Sequence, residues 1–529
     1  MGLFNARWSR RGLLKTLGLG SAALTPVALA APLEAAPLKL PKLTGREKDN
    51  LFTRIGVRPM INGRGTFTII SGSRSLPEVK QAMFEASHYY VHLDEMMDGI
   101  GAKLGQLTGA QWGIATNGCE AAICLATIAC IAGTDVEKCL ALPYTMAKNQ
   151  VIIPSHSRNQ YELGMRMVGV ELVEVASPEE LRAKLGPRTA MVYIMSSPRA
   201  LTGPMSIANI CAAAKAAGVP VFVDAAAEEP IKPNIHLAAG ATLVGYSGGK
   251  CLRGPQSSGM LIGDKSLCKA AYFQAAPHHA YGRALKCSKE EAMGLLAAVE
   301  QWYKRDHAAE QAMWRGWLKT IENRLKPLPS TSFEYLEPND LSNKATRLRV
   351  RWDANVLKIT GTELAAKLDA GTPRILLEST SGRRPDQMAS SLSVMPYMMD
   401  PGEDRIIADA LHAALTDPGH FDNPPVPGGA MAAVGGAWAL TVNYPRGEAS
   451  QTMTLTQTGD AVTGAHKGEI FTGTVRGTVR AGTVELRSTM PNPGNNFTYN
   501  FHGTVNGSRM EGTVDMGEYG MANWTAVKA

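Results

Sequence analysis

The stretch Val244-Gly-Tyr-Ser-Gly-Gly-Lys250-Cys-Leu-Arg-Gly-Pro-Gln-Ser-Ser-Gly259 decides the fold. It is a Gly/Ser-rich loop carrying a single lysine, bounded by short apolar runs. Upstream, the run Val219-Pro-Val-Phe-Val-Asp224 ends on a carboxylate 26 residues before Lys250. Working outward, similar runs recur at Gln150-Val-Ile-Ile-Pro154, Ala190-Met-Val-Tyr-Ile-Met195 and Gly259-Met-Leu-Ile-Gly263. Helical stretches separate them, such as Ser206–Ala217 with Gly218 as its C-cap. Strands apolar on both sides, alternating with helices from Asn50 to about Asp417, predict an α/β fold with a mainly parallel sheet covered on both faces. In such a sheet, residues at the carboxyl ends of strands face the ligand crevice, which is where Asp224 and Lys250 fall.

A chain of 529 residues is too long for one ordinary domain. Residues 418–436 are Pro/Gly-rich and read as a linker. Beyond them, 437–529 alternate polar and apolar residues with frequent Gly turns, as in Thr452-Met-Thr-Leu-Thr456 and Thr483-Val-Glu-Leu-Arg487. That rhythm predicts a separate small antiparallel barrel or sandwich, with Trp438 and Trp524 near its ends as core residues.

The amino terminus reads as an export address. Arg10-Arg11 precede the apolar run Thr16–Ala30 and the site Ala28-Leu-Ala30, so residues 1–31 form a twin-arginine signal peptide and 32–48 a linker. The run is shorter than the ~20 residues a membrane span needs. A periplasmic location follows, with the twin-arginine translocase, which carries folded, cofactor-loaded proteins, as a transient partner. Removing the leader takes four basic residues and lowers the formal charge from +7 to +3. That is too little to argue for nucleic acid. The eight cysteines show neither CxxC nor Cys/His spacing, so no metal is expected. An oxidising compartment permits disulfides but does not pair them.

Pyridoxal 5'-phosphate demands a lysine for attachment, an acid for its ring nitrogen and a cradle for its phosphate. Lys250 supplies the first and Asp224 the second. Ala115-Thr116-Asn117-Gly118-Cys119 precedes a helical run and supplies the third, with Ser247 as a further contact. Each has a plainer reading in isolation: a solvated Gly-Lys loop, a helix N-cap, a capped helix start. Their order along one α/β pattern favours the cofactor.

Glu78-Val-Lys-Gln-Ala-Met83, Thr116-Asn-Gly118, Ser247-Gly-Gly-Lys250 with Gly254-Pro-Gln256, and Gly282-Arg-Ala-Leu-Lys-Cys-Ser-Lys-Glu-Glu291 together resemble the bacterial selenocysteine synthase-like group. The likeness is greatest to its glucosaminate-phosphate ammonia-lyase-like branch and runs from about residue 51 to 417. It implies a fold-type-I, PLP-dependent transferase-like large domain over 49–280, whose first segment passes to an α+β small domain over 281–417. It implies that Lys250 holds the cofactor and takes the α-proton, with Asp224 on the ring nitrogen. It places His156 near the ring, and Arg158 and Tyr161 near an amino-acid substrate. Arg374 is a candidate clamp for the substrate carboxylate, with an ordinary surface arginine as its plainer reading. Gly249 stands where the family often has Asp. A homodimer or higher homo-oligomer is expected. The reaction implied is β-elimination giving a keto acid and ammonia. Racemisation, transamination or selenium-transferase-like chemistry are the alternatives, and a non-catalytic periplasmic binding protein is the alternative of another class.

Overall fold

The computed structural model describes residues 50–144, 146–423, 428–492 and 494–529. The leader and the linker after it lie outside these residues.

Seven strands form the central sheet: β2 (Trp112–Thr116), β3 (Gln150–Pro154), β4 (Glu171–Val175), β5 (Thr189–Met195), β6 (Val221–Asp224), β7 (Leu243–Ser247) and β8 (Gly259–Gly263), in the order β2-β8-β7-β6-β5-β3-β4. The pairs from β4 through β7 are parallel, whereas β8 runs antiparallel to both its neighbours. β2 and β5 to β8 are buried along nearly their whole length, as a sheet covered on both faces requires. The helix Gly118–Ala132 packs on this sheet and is buried almost all round, which its run of Ala, Cys and Ile permits. The helix predicted at Ser206 spans Ile207–Ala216 with Ser206 as its N-cap.

A second core gathers around Leu318, Leu348, Trp352, Leu392 and Leu411. It is built from the antiparallel sheet of β9 (Ser332–Leu336), β10 (Arg347–Asp353), β12 (Glu378–Arg383) and β13 (Gln387–Val394), with the helices His307–Leu325 and Glu403–Thr416. The amino-terminal strand β1 (Met60–Asn62) pairs in parallel with β11 (Arg374–Leu376), and Ile61 is buried in this second core.

The carboxyl-terminal strands β14 (Gly436–Asn443), β15 (Glu448–Thr458), β16 (Ala461–Lys467), β17 (Thr472–Arg480), β18 (Thr483–Met490), β19 (Phe497–Asn506), β20 (Arg509–Asp515) and β21 (Met521–Lys528) form a closed barrel, β14 pairing with β21. Closure removes the sheet edges a sandwich would expose. Trp438 and Trp524 are fully buried in its interior with Phe501 and Met453. The interior also holds His466, whose ring nitrogens pair with Gln451 Oε1 (2.7 Å) and Ser488 Oγ (2.9 Å). All eight cysteines are free thiols and seven are buried, acting as small apolar residues.

Candidate active site

The sheet register brings the predicted groups to one edge. Asp224, the last residue of β6, pairs with Gly245 of β7, and Ser247, the last of β7, pairs with Gly259 of β8. Gly259 also pairs with Thr116, the last residue of β2, so Asn117-Gly118 and the loop bearing Lys250 leave the sheet at the same rim. Ser196, just past β5, joins this rim through its backbone N–H on the Asp224 carbonyl at 2.9 Å.

The lysine loop is closed on itself. Gly254 N–H donates to the Gly248 carbonyl (2.8 Å), Arg253 N–H to the Lys250 carbonyl (3.0 Å), and Gly248 N–H to the Ser258 carbonyl (2.7 Å). A Cβ at Gly249 would lie 2.7 Å from Gln256 Cα, which accounts for glycine here. Lys250 itself is half-buried, and among the described residues its amine has neither a hydrogen bond nor an ion pair. A partly desolvated primary amine without a partner suits an attachment and proton-transfer role.

Asp224 is 4% exposed. Its Oδ2 accepts the Tyr193 hydroxyl at 2.7 Å, and its Oδ1 accepts the Ala226 N–H at 3.0 Å and the Cys119 thiol at 3.5 Å. A carboxylate has about four acceptor positions, so three donors leave one for a protonated ring nitrogen. Burial and the Asp224 charge push the Cys119 thiol well above its ordinary range, while the Lys250 ammonium pulls it down, so both charges act on one point. Burial, followed by the same carboxylate, keeps the Tyr193 proton on its oxygen. The acid and the amine therefore both lie near Cys119.

The helix start predicted as a cradle has the chemistry of an anion site. Asn117 gives no side-chain cap to the helix Gly118–Ala132, so the first N–H groups of the helix lack a side-chain acceptor there. Gly118 adopts φ +76°, and a Cβ there would meet open space. Gly259 is required by close approach, since its Cβ would lie 2.7 Å from the Cys119 nitrogen. The cradle's own side chains are less available. Thr116 Oγ donates to the Gly118 carbonyl (2.7 Å) and Asn117 Nδ2 to the Lys286 carbonyl (3.2 Å), leaving backbone as the anion-binding surface.

His156 follows β3. Its nitrogens pair with the Met205 carbonyl (3.1 Å) and Ser157 Oγ (3.1 Å), which fixes its plane. Arg158 is not open to a substrate carboxylate, because its guanidinium is held by Glu162 (3.0 Å from Nη2 to Oε2) and by Glu174. Tyr161 packs on the large-domain core. Arg374 lies on β11 and pairs with Asp369 through Nε (2.7 Å) and Nη2 (3.2 Å), and among the described residues no contact joins it to the Asp224–Lys250 group. Four residues were missed in the sequence. Tyr193 holds Asp224, and Asn159 holds Tyr193. Ser196 and Ser73 present buried hydroxyls without partners among the described residues, Ser73 beside the lysine loop with its N–H on the Gly249 carbonyl at 2.9 Å. A hydroxyl inside the otherwise apolar β5 was the available signal for Tyr193.

A family model described as Cys/Met metabolism PLP-dependent enzyme matches residues 74–295. D-glucosaminate-6-phosphate ammonia lyase of Salmonella typhimurium is 28% identical over 333 residues, covering 61% of this chain and 87% of that one. The 5'-C-glycyluridine monooxygenase-decarboxylase of a Streptomyces species is 27% identical over 387 residues, covering 70% and 92%. A solved structure of D-glucosaminate-6-phosphate ammonia-lyase matches with a TM-score of 0.61 at 26% identity, covering 70% of this chain and 99% of that one.

Proposed function

We propose that this chain, a pyridoxal-phosphate-dependent enzyme of fold type I, is a lyase that converts a β-hydroxylated amino acid to a keto acid and ammonia. The observation that carries it is the half-buried, unpartnered Lys250 amine on the same rim as the buried Asp224 carboxylate and an uncapped helix start. Bound there, the cofactor acidifies the α-carbon of an attached amino acid and stores the electrons released. Asp224 keeps a proton at the ring nitrogen. Lys250 Nζ accepts the α-proton. Backbone N–H groups from Gly118 onward hold the phosphate. The substrate loses its α-proton and β-hydroxyl as one water, and a second water hydrolyses the resulting imine and supplies the keto oxygen as the nitrogen leaves as ammonia, so a 2-amino-3-hydroxy acid gives a 2-keto acid and ammonia in balance. The likeness to an ammonia lyase supports elimination over racemisation and transamination. Incubating the yellow protein with serine, threonine and amino-sugar acids tests it. Equal release of ammonia and keto acid is expected, whereas loss of chirality without ammonia would replace the reading with racemisation.

Two further parts belong to this reading. The arginine pair and apolar run of residues 1–31 support export by the twin-arginine route, and Arg10→Lys with Arg11→Lys should retain the protein in the cytoplasmic fraction. Phe52, Ile55, Phe67 and Ile69 are exposed on the segment that leads to Gly72 beside Gly249, and Tyr90, beyond the following helix, is exposed as well. A second copy of the chain covering this surface next to the site accounts for the exposure. Light scattering giving a monomer would contradict it.

A further inference from the structure

Asp224 is the end of a chain of hydrogen bonds that begins at Asn159, a residue against which the barrel packs. The Tyr193 hydroxyl donates to Asp224 Oδ2 at 2.7 Å, and Asn159 Nδ2 donates to the Tyr193 oxygen at 3.1 Å. The same amide donates to the Ser157 carbonyl at 2.7 Å, and its oxygen accepts the Tyr161 N–H at 2.7 Å. Both ends of the Asn159 side chain are thus committed, and Asn159, Tyr193 and Asp224 are all buried. Because Asn159 donates to the Tyr193 oxygen, the single tyrosine proton has one direction left, towards Asp224.

The backbone of Asn159 meets the loop between β18 and β19. Gly494 in that loop adopts φ +84° and lies so close that a methyl group there would overlap the Asn159 carbonyl oxygen and lie 2.9 Å from the Glu162 carboxyl carbon. Glu162 in turn closes a capping box around Asn159, accepting its N–H at 3.1 Å, and is gripped by Arg158 and Arg166. Gly494 of the barrel therefore rests on a braced segment whose side chain reaches the acid through the Tyr193 hydroxyl.

We propose that the barrel is a positioning element of the active site: its β18–β19 loop, seated through Gly494 on Asn159, holds the Asn159–Tyr193 pair that aims Asp224 at the cofactor's ring nitrogen. This rests on the cofactor reading given above. Asn159, Tyr193 and Gly494 are positioning residues, because they act through Asp224. With the tyrosine proton on Oδ2, the carboxylate is a weaker base and leaves the proton on the ring. Weakening that bond draws the proton towards Asp224 and withdraws positive charge from the ring. The titratable groups that interact with the acid are Cys119, Tyr193 and Glu120, and Lys250 acts on the adjoining Cys119.

The test is the pH midpoint of the visible band of the full, cofactor-loaded chain, which reports the proton on the nitrogen joining Lys250 to the cofactor. Less positive charge on the ring lets that nitrogen keep its proton to higher pH. Tyr193→Phe should raise the midpoint by about half a pH unit. Asn159→Ala and Gly494→Val should raise it in the same direction by less. Gly494→Val added to Tyr193→Phe should move it no further, because the path is already cut. A midpoint that Tyr193→Phe moves and Gly494→Val does not would overturn the barrel's role, as would a full additional shift in the double variant. If Gly494→Val fails to fold, Gly494→Ala carries the same two outcomes. A wild-type chain that takes up no cofactor would sink the cofactor reading itself, a result distinct from either.

Discussion

Gly259→Ala tests the phosphate cradle with one methyl group. That Cβ would lie 2.7 Å from the Cys119 nitrogen and closer still, 2.4 Å, to the Gly118 carbonyl carbon. An ordinary contact is about 3.5 Å, so the backbone must separate by about 1.1 Å. Neither neighbour is a flexible side chain. One is the first turn of a buried helix, and the other is a central strand paired on both sides. Overpacking of this kind costs about 1–3 kcal/mol of stability. An anion at a helix start gains up to about 2 kcal/mol, and losing most of that weakens cofactor binding about 10- to 30-fold. Titrating the apo-protein with pyridoxal phosphate and, separately, with phosphate-free pyridoxal measures the effect, with thermal unfolding as a check on folding. Affinity for the phosphorylated form should fall, and affinity for pyridoxal should hardly change. An equal loss for both, or no loss for either, would refute the assignment of the helix start as the cradle.

The remaining predictions concern the barrel and the second core. Burial holds His466 down to about 4, below its ordinary 6.5, so the folded chain resists a proton that the unfolded chain accepts. Its contribution is complete above pH 6.5 and is lost as pH falls from there towards 4, by about 3 kcal/mol in total. Unfolding measured across that window should show a steeper acid loss in wild type than in His466→Gln. Arg374→Ala should leave the dependence of rate on substrate concentration unchanged, since its guanidinium serves Asp369 at a partly exposed site, and should cost at most about 1 kcal/mol of stability. A tenfold rise in KM would instead make Arg374 the substrate clamp.

Much of the fold could be read from the chain because its signals are local. Short apolar runs ending in Asp224 or opening into the Lys250 loop follow from the alternation of strands and helices alone. What could not be read depends on neighbours set by strand order. Tyr193 reaches Asp224 because β5 lies beside β6, which no spacing in the chain reveals. Arg158 resembled a substrate ligand until the fold set Glu162 and Glu174 around it. The barrel's alternation fits a sandwich equally well, and only the pairing of β14 with β21, at opposite ends of the domain, decides for closure. The meeting of Gly494 with Asn159 joins segments more than 300 residues apart and has no sequence signature.

The most direct measurement is reductive trapping. Borohydride added to the yellow protein fixes the cofactor to the amine that holds it, and peptide mapping then locates the added mass. The account predicts that the mass falls on the peptide containing Lys250 and that Lys250→Ala is colourless and inactive. Label on any other lysine, or a coloured and active Lys250→Ala protein, would contradict it.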